Sequence, residues 1–280
     1  MINSSGITWD HPKRYRIMAV MMHQSYAELD RARYNDSHVN WPFPLQTAVI
    51  NLAVLAKERG AGLYLTAPPR ESNRAYSWWK LVALRNALQY APTDWLLWID
   101  SDAFLMHSAS ELLGRLPEQI RSHENAVCRI PTMYVAREEP SKDLLHPTSN
   151  FNLGVMLLNA SKSRRVDAML RLLWDLKKEQ CEPFRMGSNW EQSCLDRKLK
   201  DVQARWLRSR LCAVRFHYFN TPNGEQIQHH WSFSRDPRQR AVHANMAGLD
   251  VESLFARLRD HVHVSSNPIG VTYGIRRARG

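Results

Sequence analysis

The residues best placed to do chemistry are Asp100 and Asp102, which flank Ser101 directly after the apolar run Trp95–Ile99. On a tight turn the intervening side chain points away, so both carboxylates can face one ligand. Such a pair suits a hard divalent cation. Mg2+ and Mn2+ prefer oxygen donors, are commonly held by one or two carboxylates, and complete their coordination with phosphate oxygens and water. A cation held there neutralises charge as a diphosphate departs. The plainer reading is that Asp100 or Asp102 closes a turn or caps a helix near Ser110, because Asp-x-Asp often arises by chance. The buried strand immediately before the pair favours the cation.

Two carboxylates act together where the backbone holds them, and the chain carries the pattern of an α/β fold that supplies a rigid strand end. Arg16–Met22 reads as a first buried strand. Apolar residues at Leu45, Ala48, Val49, Leu52, Leu55 and Ala56, followed by Gly60 and Gly62, predict a helix and its stop. Gly62–Ala67 predicts a second strand. Trp78, Leu81, Val82, Leu84, Ala87 and Leu88 predict a second helix, ended by Pro92 before the central strand Trp95–Ile99. Strand–helix–strand steps imply right-handed crossovers and an open, mostly parallel sheet, whose ligands bind beyond the carboxyl ends of the strands. Farther on, a helix is expected over Ser110–Arg121, interrupted near Pro117, then strands at Ala126–Ile130 and Gly154–Leu158. Val166, Met169, Leu170, Leu173 and Trp174 form the apolar stripe of the next helix. A shorter helix is expected from Ser188 and a last one from Asp250 to about His261, while residues 202–245 fit no clear pattern.

Four segments then stand in a telling order: Trp95–Leu105 (WLLWIDSDAFL), Asn152–Asn159 (NLGVMLLN), Glu191-Gln192 and Val242–Gly248 (VHANMAG). The chain resembles, over roughly residues 76 to 248, the galactomannan galactosyltransferase and xyloglucan xylosyltransferase family. The resemblance implies a GT-A fold (Rossmann-like α/β), a UDP-sugar donor, a glycan acceptor, Mn2+ (or Mg2+) and retention of configuration. It also implies that His243 is a third metal ligand, and that Ser101, Asn152, Gly154 and Gly248 lie at the donor. Asn-x-Gly before a strand is equally ordinary turn chemistry.

On the same resemblance, Glu191 and Gln192 face the sugar opposite the leaving group, where retention needs a nucleophile or a group that stabilises positive charge. Ser188-Asn189-Trp190-Glu191 also fits a capping box, which would leave Glu191 with a purely local task. Lys80 and Arg85, on the helix before the Asp-Ser-Asp strand, are the cations expected at the diphosphate or donor. They are five residues apart, so a straight helix turns them well apart and at most one faces the site. Three departures stand out. The family usually has aspartate where this chain has Glu191, carries Cys and Lys where it has Ala247, Gly248, Leu249 and Asp250, and is tethered to a membrane.

At 280 residues the chain suits one domain over 1–280, with 1–13 and 275–280 as flexible ends. No run of apolar residues is long enough to span a bilayer and no signal peptide is evident, so a soluble, cytosol-like setting is expected. Cys128, Cys181, Cys194 and Cys212 are widely spaced, which predicts reduced thiols and neither a zinc site nor a disulfide framework. The net charge of +11 attracts any polyanion and allows peripheral membrane association. It makes a nucleic-acid-binding protein a competing reading, although the basic residues are scattered and no nucleic acid is expected. An inverting transferase with Glu191 as base is another. A haloacid-dehalogenase-like phosphatase is a third, but its motif normally lies on the first strand and does not continue as Ala103-Phe104 does here.

Overall fold

In the computed structural model the apolar run after the polar leader forms strand β1, Tyr15–Met22, with every side chain but Arg16 buried. The structure describes residues 14–22, 51, 54–55, 58, 60–66, 76–90, 92–100, 103–122, 131–137, 151–174, 191–195, 210–214, 224–229, 262–267 and 270–275. Strands β2 (Ala61–Thr66) and β3 (Thr93–Ile99) flank β1 and run parallel to it, Ile17 lying opposite both Ala61 and Trp95. Helix α1 (Trp79–Tyr90) connects toward β3, and helix α2 (Ala109–Ser122) follows the short β4 (Ala103–Leu105). The second half adds β5 (Met133–Arg137), β6 (Phe151–Asn159), helix α3 (Ser163–Trp174) and β7 (Leu211–Val214). It ends with β8 (Ile227–His229), β9 (Val262–Asn267) and β10 (Gly270–Ile275).

One sheet has the order β7-β5-β6-β3-β1-β2-β10-β9. Its pairings set six strands in one direction, with β6 and β10 reversed. This is the mostly parallel α/β sheet that the apolar runs predict, with β3 at its centre. β4 and β8 form a separate antiparallel pair.

Both faces of the sheet are covered. Met18, Val20, Leu96, Trp98 and Met156 belong to a core shared with Leu81 and Leu84 of α1 and Val166 and Leu170 of α3. Ile17, Ala19, Leu97, Ile99 and Val155 belong to a second core with Leu55 and with Leu112 and Leu116 of α2. The alternation along β3 follows from the two-residue period of a strand, and each such side chain contributes roughly 1.5–3 kcal/mol through burial. Trp79 and Trp174 pack α1 on α3 with ring centroids 5.1 Å apart.

Several expectations change. Helix α2 runs through Pro117 without a break, its buried Leu112 and Leu116 holding the turns before the proline. The 154–158 strand is present but antiparallel to β3. An unpredicted β5 pairs with it, and the predicted Ala126–Ile130 strand lies outside the described residues, as does the helix from Asp250. The β9–β10 hairpin was not expected and ends at Ile275, the first residue of the expected flexible end; its polar Ser265, Ser266 and Asn267 hide the strand pattern at a sheet edge. Cys194 and Cys212 are both disulfide-bonded, which corrects the expectation of reduced thiols. Linear spacing cannot reveal which cysteines a fold brings together. Disulfides persist in oxidising settings, so the cytosol-like compartment loses the support the cysteines lent it. No helix among the described residues is long and apolar enough to cross a membrane.

Candidate active site at the end of the central strand

The carboxyl end of β3 leads straight into the Asp100 turn. Ala103 N–H donates to Asp100 O at 3.0 Å, closing a tight turn, and Asp100 N–H donates to Gly154 O at 2.8 Å, tying the turn to β6. Beyond the turn, β4 is held from two sides. β8 pairs with it in the register Ala103↔His229, and the buried Asn51 amide donates to Ala103 O and accepts from Leu105 N–H at 3.0 Å. Helix α2 begins with its own capping box, Ser108 N–H donating to Glu111 and Glu111 N–H to Ser108 Oγ. Those bonds from Ser108 hold the Glu111 carboxyl below its usual range. Asp100 is therefore not the cap of that helix.

Strand periodicity places Asp100 on the same face as Trp98, toward α1. Trp98 Nε1–H donates to Asp100 Oδ1 at 2.6 Å, and Lys80 Nζ reaches the same oxygen at 3.3 Å. Lys80 is buried, with its side chain only 4% exposed, and lies 5.6 Å from the Trp98 ring centroid. Its other partners are Glu191 Oε1 at 2.9 Å and Leu153 O at 3.1 Å. An ammonium group has three N–H donors, and here three groups accept them. Burial alone would make Lys80 easier to deprotonate, but Asp100 and Glu191 outweigh it and hold the ammonium above its ordinary range.

The irregular start of β6 is the hub of the site. Leu153 N–H donates to Gln192 Oε1 at 3.3 Å and Leu153 O accepts from Lys80. Gly154 N–H donates to Asn152 Oδ1 at 2.8 Å and Gly154 O accepts from Asp100 N–H. All four backbone groups of these two residues are thus paired with site residues, as buried backbone demands. A shift in the β5–β6 register between Val135 and Ala136 accompanies the irregularity.

Gly154 is required by packing. A Cβ there would lie 2.1 Å from His229 Cε1 and 2.9 Å from Asn152 Oδ1. His229 is buried, and no motif in the chain marks it. Its only signal in the chain is its place at the end of a short apolar–polar–His run in an otherwise unassignable stretch. Asn51 was also missed, although a polar residue on the apolar stripe of a helix is a usable sign.

Of the predicted site residues, the structure brings together Lys80, Asp100, Asn152, Gly154, Glu191 and Gln192. Glu191 Oε1 is paired with Lys80, and the capping partner Ser188 lies outside the described residues. Arg85 is turned away, as the five-residue spacing required of one cation. Its Nε donates to Asp167 of α3 at 2.9 Å. The buried Lys80 offers its three N–H groups to Asp100, Glu191 and Leu153 O. Ser101, Asp102, His243 and Gly248 lie outside the described residues.

Among the described residues no group of three or more His, Cys, Asp or Glu is placed to hold a metal ion, and Asp102 and His243 lie outside them. Asp100, 31% exposed at a strand end, offers carboxylate oxygen, and His229 sits on the strand paired with the residue that follows Asp102. Oxygen with an added imidazole is a donor set compatible with Mn2+.

No protein-family model and no curated protein matches the sequence. Solved structures do. One is a glycosyltransferase involved in glycosylation of the major capsid of PBCV-1, at TM-score 0.51 and 14% identity, covering 81% of this chain and 98% of that one. Another is the apo form of the glycosyltransferase GlyE of Streptococcus pneumoniae TIGR4, at TM-score 0.51 and 14% identity, covering 88% of this chain. The match spans 63% of the GlyE chain, so this chain corresponds to under two thirds of it. At such identity the likeness concerns architecture, and the chain has the GT-A-like α/β fold of glycosyltransferases.

Proposed function

We propose that the chain is a metal-dependent glycosyltransferase that moves a sugar from a nucleotide-sugar, UDP-linked on the family resemblance, to a glycan acceptor with retention. The observation that carries this reading is the accessible Asp100 carboxylate on a closed turn at the carboxyl end of the central strand of a GT-A-like sheet. Ligands of such sheets bind at that end.

Asp100 and Asp102 would hold Mn2+ or Mg2+, which when bound supplies charge neutralisation for the leaving diphosphate. Two histidines compete for the third place: His243, which the resemblance implies, and His229, which strand pairing sets beside the turn. Asn152 and Gly154 would line the donor, and Gln192 beside Leu153 would meet the sugar. Glu191 is 5% exposed and paired with Lys80, which speaks equally against an inverting general base and against a nucleophile at the sugar, so retention rests on the family resemblance.

Thermal-shift titration tests the reading. With ligand at about a hundredfold over its Kd, a native-state binder adds roughly 2.7 kcal/mol of apparent stability. UDP with Mn2+ should stabilise the wild type, and Asp102→Asn should lose the Mn2+-dependent part while keeping the metal-free Tm. Stabilisation that ignores Mn2+, phosphate-ester hydrolysis, or salt-sensitive retention of DNA or RNA would each sink it.

A further inference from the structure

We propose that Glu191 acts as a positioning residue that draws the Lys80 ammonium away from Asp100 and so leaves the Asp100 carboxylate available to a divalent cation. The inference rests on the metal reading above and deepens it, assigning to this chain's own residues the control of cation affinity.

Lys80 is buried between two carboxylates that it cannot serve equally. Its Nζ lies 2.9 Å from Glu191 Oε1, against 3.3 and 3.5 Å from the two Asp100 oxygens. An ammonium group and a metal ion are rivals for the same oxygen, since both are cations and like charges repel strongly at a few ångströms in a protein interior. Without a second carboxylate, the Lys80 charge would rest on Asp100 alone, and a cation arriving at the turn would have to displace it. Glu191 prevents this. It is itself buried and rigidly held, because the next residue, Gln192, accepts from Leu153 N–H and Lys80 is bonded to Leu153 O. The geometry of the pair is thus fixed from both sides of one residue of β6. The cluster of one cation with two carboxylates keeps a net negative charge facing the turn, while Lys80 still prevents Asp100 and Glu191 from repelling each other before a metal arrives.

The test is Mn2+ affinity of the metal-free protein, measured by calorimetry or by electron paramagnetic resonance of free Mn2+, with no turnover involved. Glu191→Gln keeps a hydrogen-bond acceptor for Lys80 but removes the charge, and should weaken Mn2+ binding about tenfold or more. The double variant Lys80→Met/Glu191→Gln keeps the cluster's total charge and removes the rival cation. It should bind Mn2+ at least as tightly as the wild type. It also serves if the single variant does not fold, because it leaves no buried ion without a partner. Unchanged affinity in Glu191→Gln, or a double variant that binds more weakly than the wild type, overturns the proposal while leaving the metal site standing. A wild type whose Mn2+ binding is absent, or survives Asp102→Asn, overturns the functional reading and this inference with it.

Discussion

Helix α1 takes part in two ion clusters of opposite composition. Toward the sheet, Lys80 stands between the carboxylates of Asp100 and Glu191. Toward α3, the Asp167 carboxylate stands between Arg85 at 2.9 Å and Arg171 at 2.7 Å. The first is sealed from water except on the Asp100 side, and every N–H of its cation has an acceptor. The second is partly exposed, Arg171 being 55% accessible. Burial explains the contrast. A charge without water must be paired completely or not be there at all, whereas a surface pair can be loose because solvent stands in for any missing partner. Structural neatness at the surface therefore says little about function, while a complete ion cluster inside the core marks a place where the fold accepts a large desolvation cost.

The comparison can be broken most directly at its buried end. Lys80→Met leaves two carboxylates facing each other without a counter-ion, and should cost roughly 3–5 kcal/mol in urea denaturation. A loss under about 1 kcal/mol would place Lys80 in the class of surface ions. Next in size is Gly154→Ala, whose new methyl collides with His229. Overpacking of this kind should cost about 1–3 kcal/mol, and much of it should return when His229→Ala is added. Independent, additive losses would mean that the collision lies elsewhere than with the His229 ring.

The smallest effect belongs to the surface cluster. Asp167→Asn should cost only about 0.2–1 kcal/mol, and less in high salt. Its pH dependence has a definite sign. Partial burial tends to raise the Asp167 carboxyl, but hydrogen bonds from Arg85 and Arg171 prevail and hold it below its usual range. The associated stability is present above the unfolded value, near pH 3.9, and is lost as pH falls through the lower folded value. Acid titration of Tm should therefore show Asp167→Asn converging on the wild type only in that window; a difference that persists unchanged below it would assign the effect to packing.

Much of the fold was legible because strands and helices announce themselves locally. Leu96, Leu97, Trp98 and Ile99 are buried as their unbroken apolar run requires, and the Val166–Trp174 stripe lies on α3 with Val166, Met169, Leu170 and Leu173 buried. The five-residue spacing turns Lys80 and Arg85 apart, Lys80 to Asp100 and Arg85 to Asp167, yet could not say which goes where, since rotation about α1 is set by what packs on it. Strand direction escaped in the same way. Nothing in the order of apolar residues along β6 distinguishes parallel from antiparallel pairing with β3.

What the sequence by itself determined is a carboxylate pair placed directly after a central buried strand, with α/β elements around it, because both properties depend on neighbours within a few residues. Only the tertiary structure decided how the site is held. Lys80 meets Leu153 across 73 positions of chain, Leu153 meets Gln192 across 39, and Gly154 must be bare because His229 arrives from a strand whose pattern is hidden. Such bonds form between residues whose separation along the chain carries no period, so they are set by packing of the whole sheet and its helices rather than by any local preference.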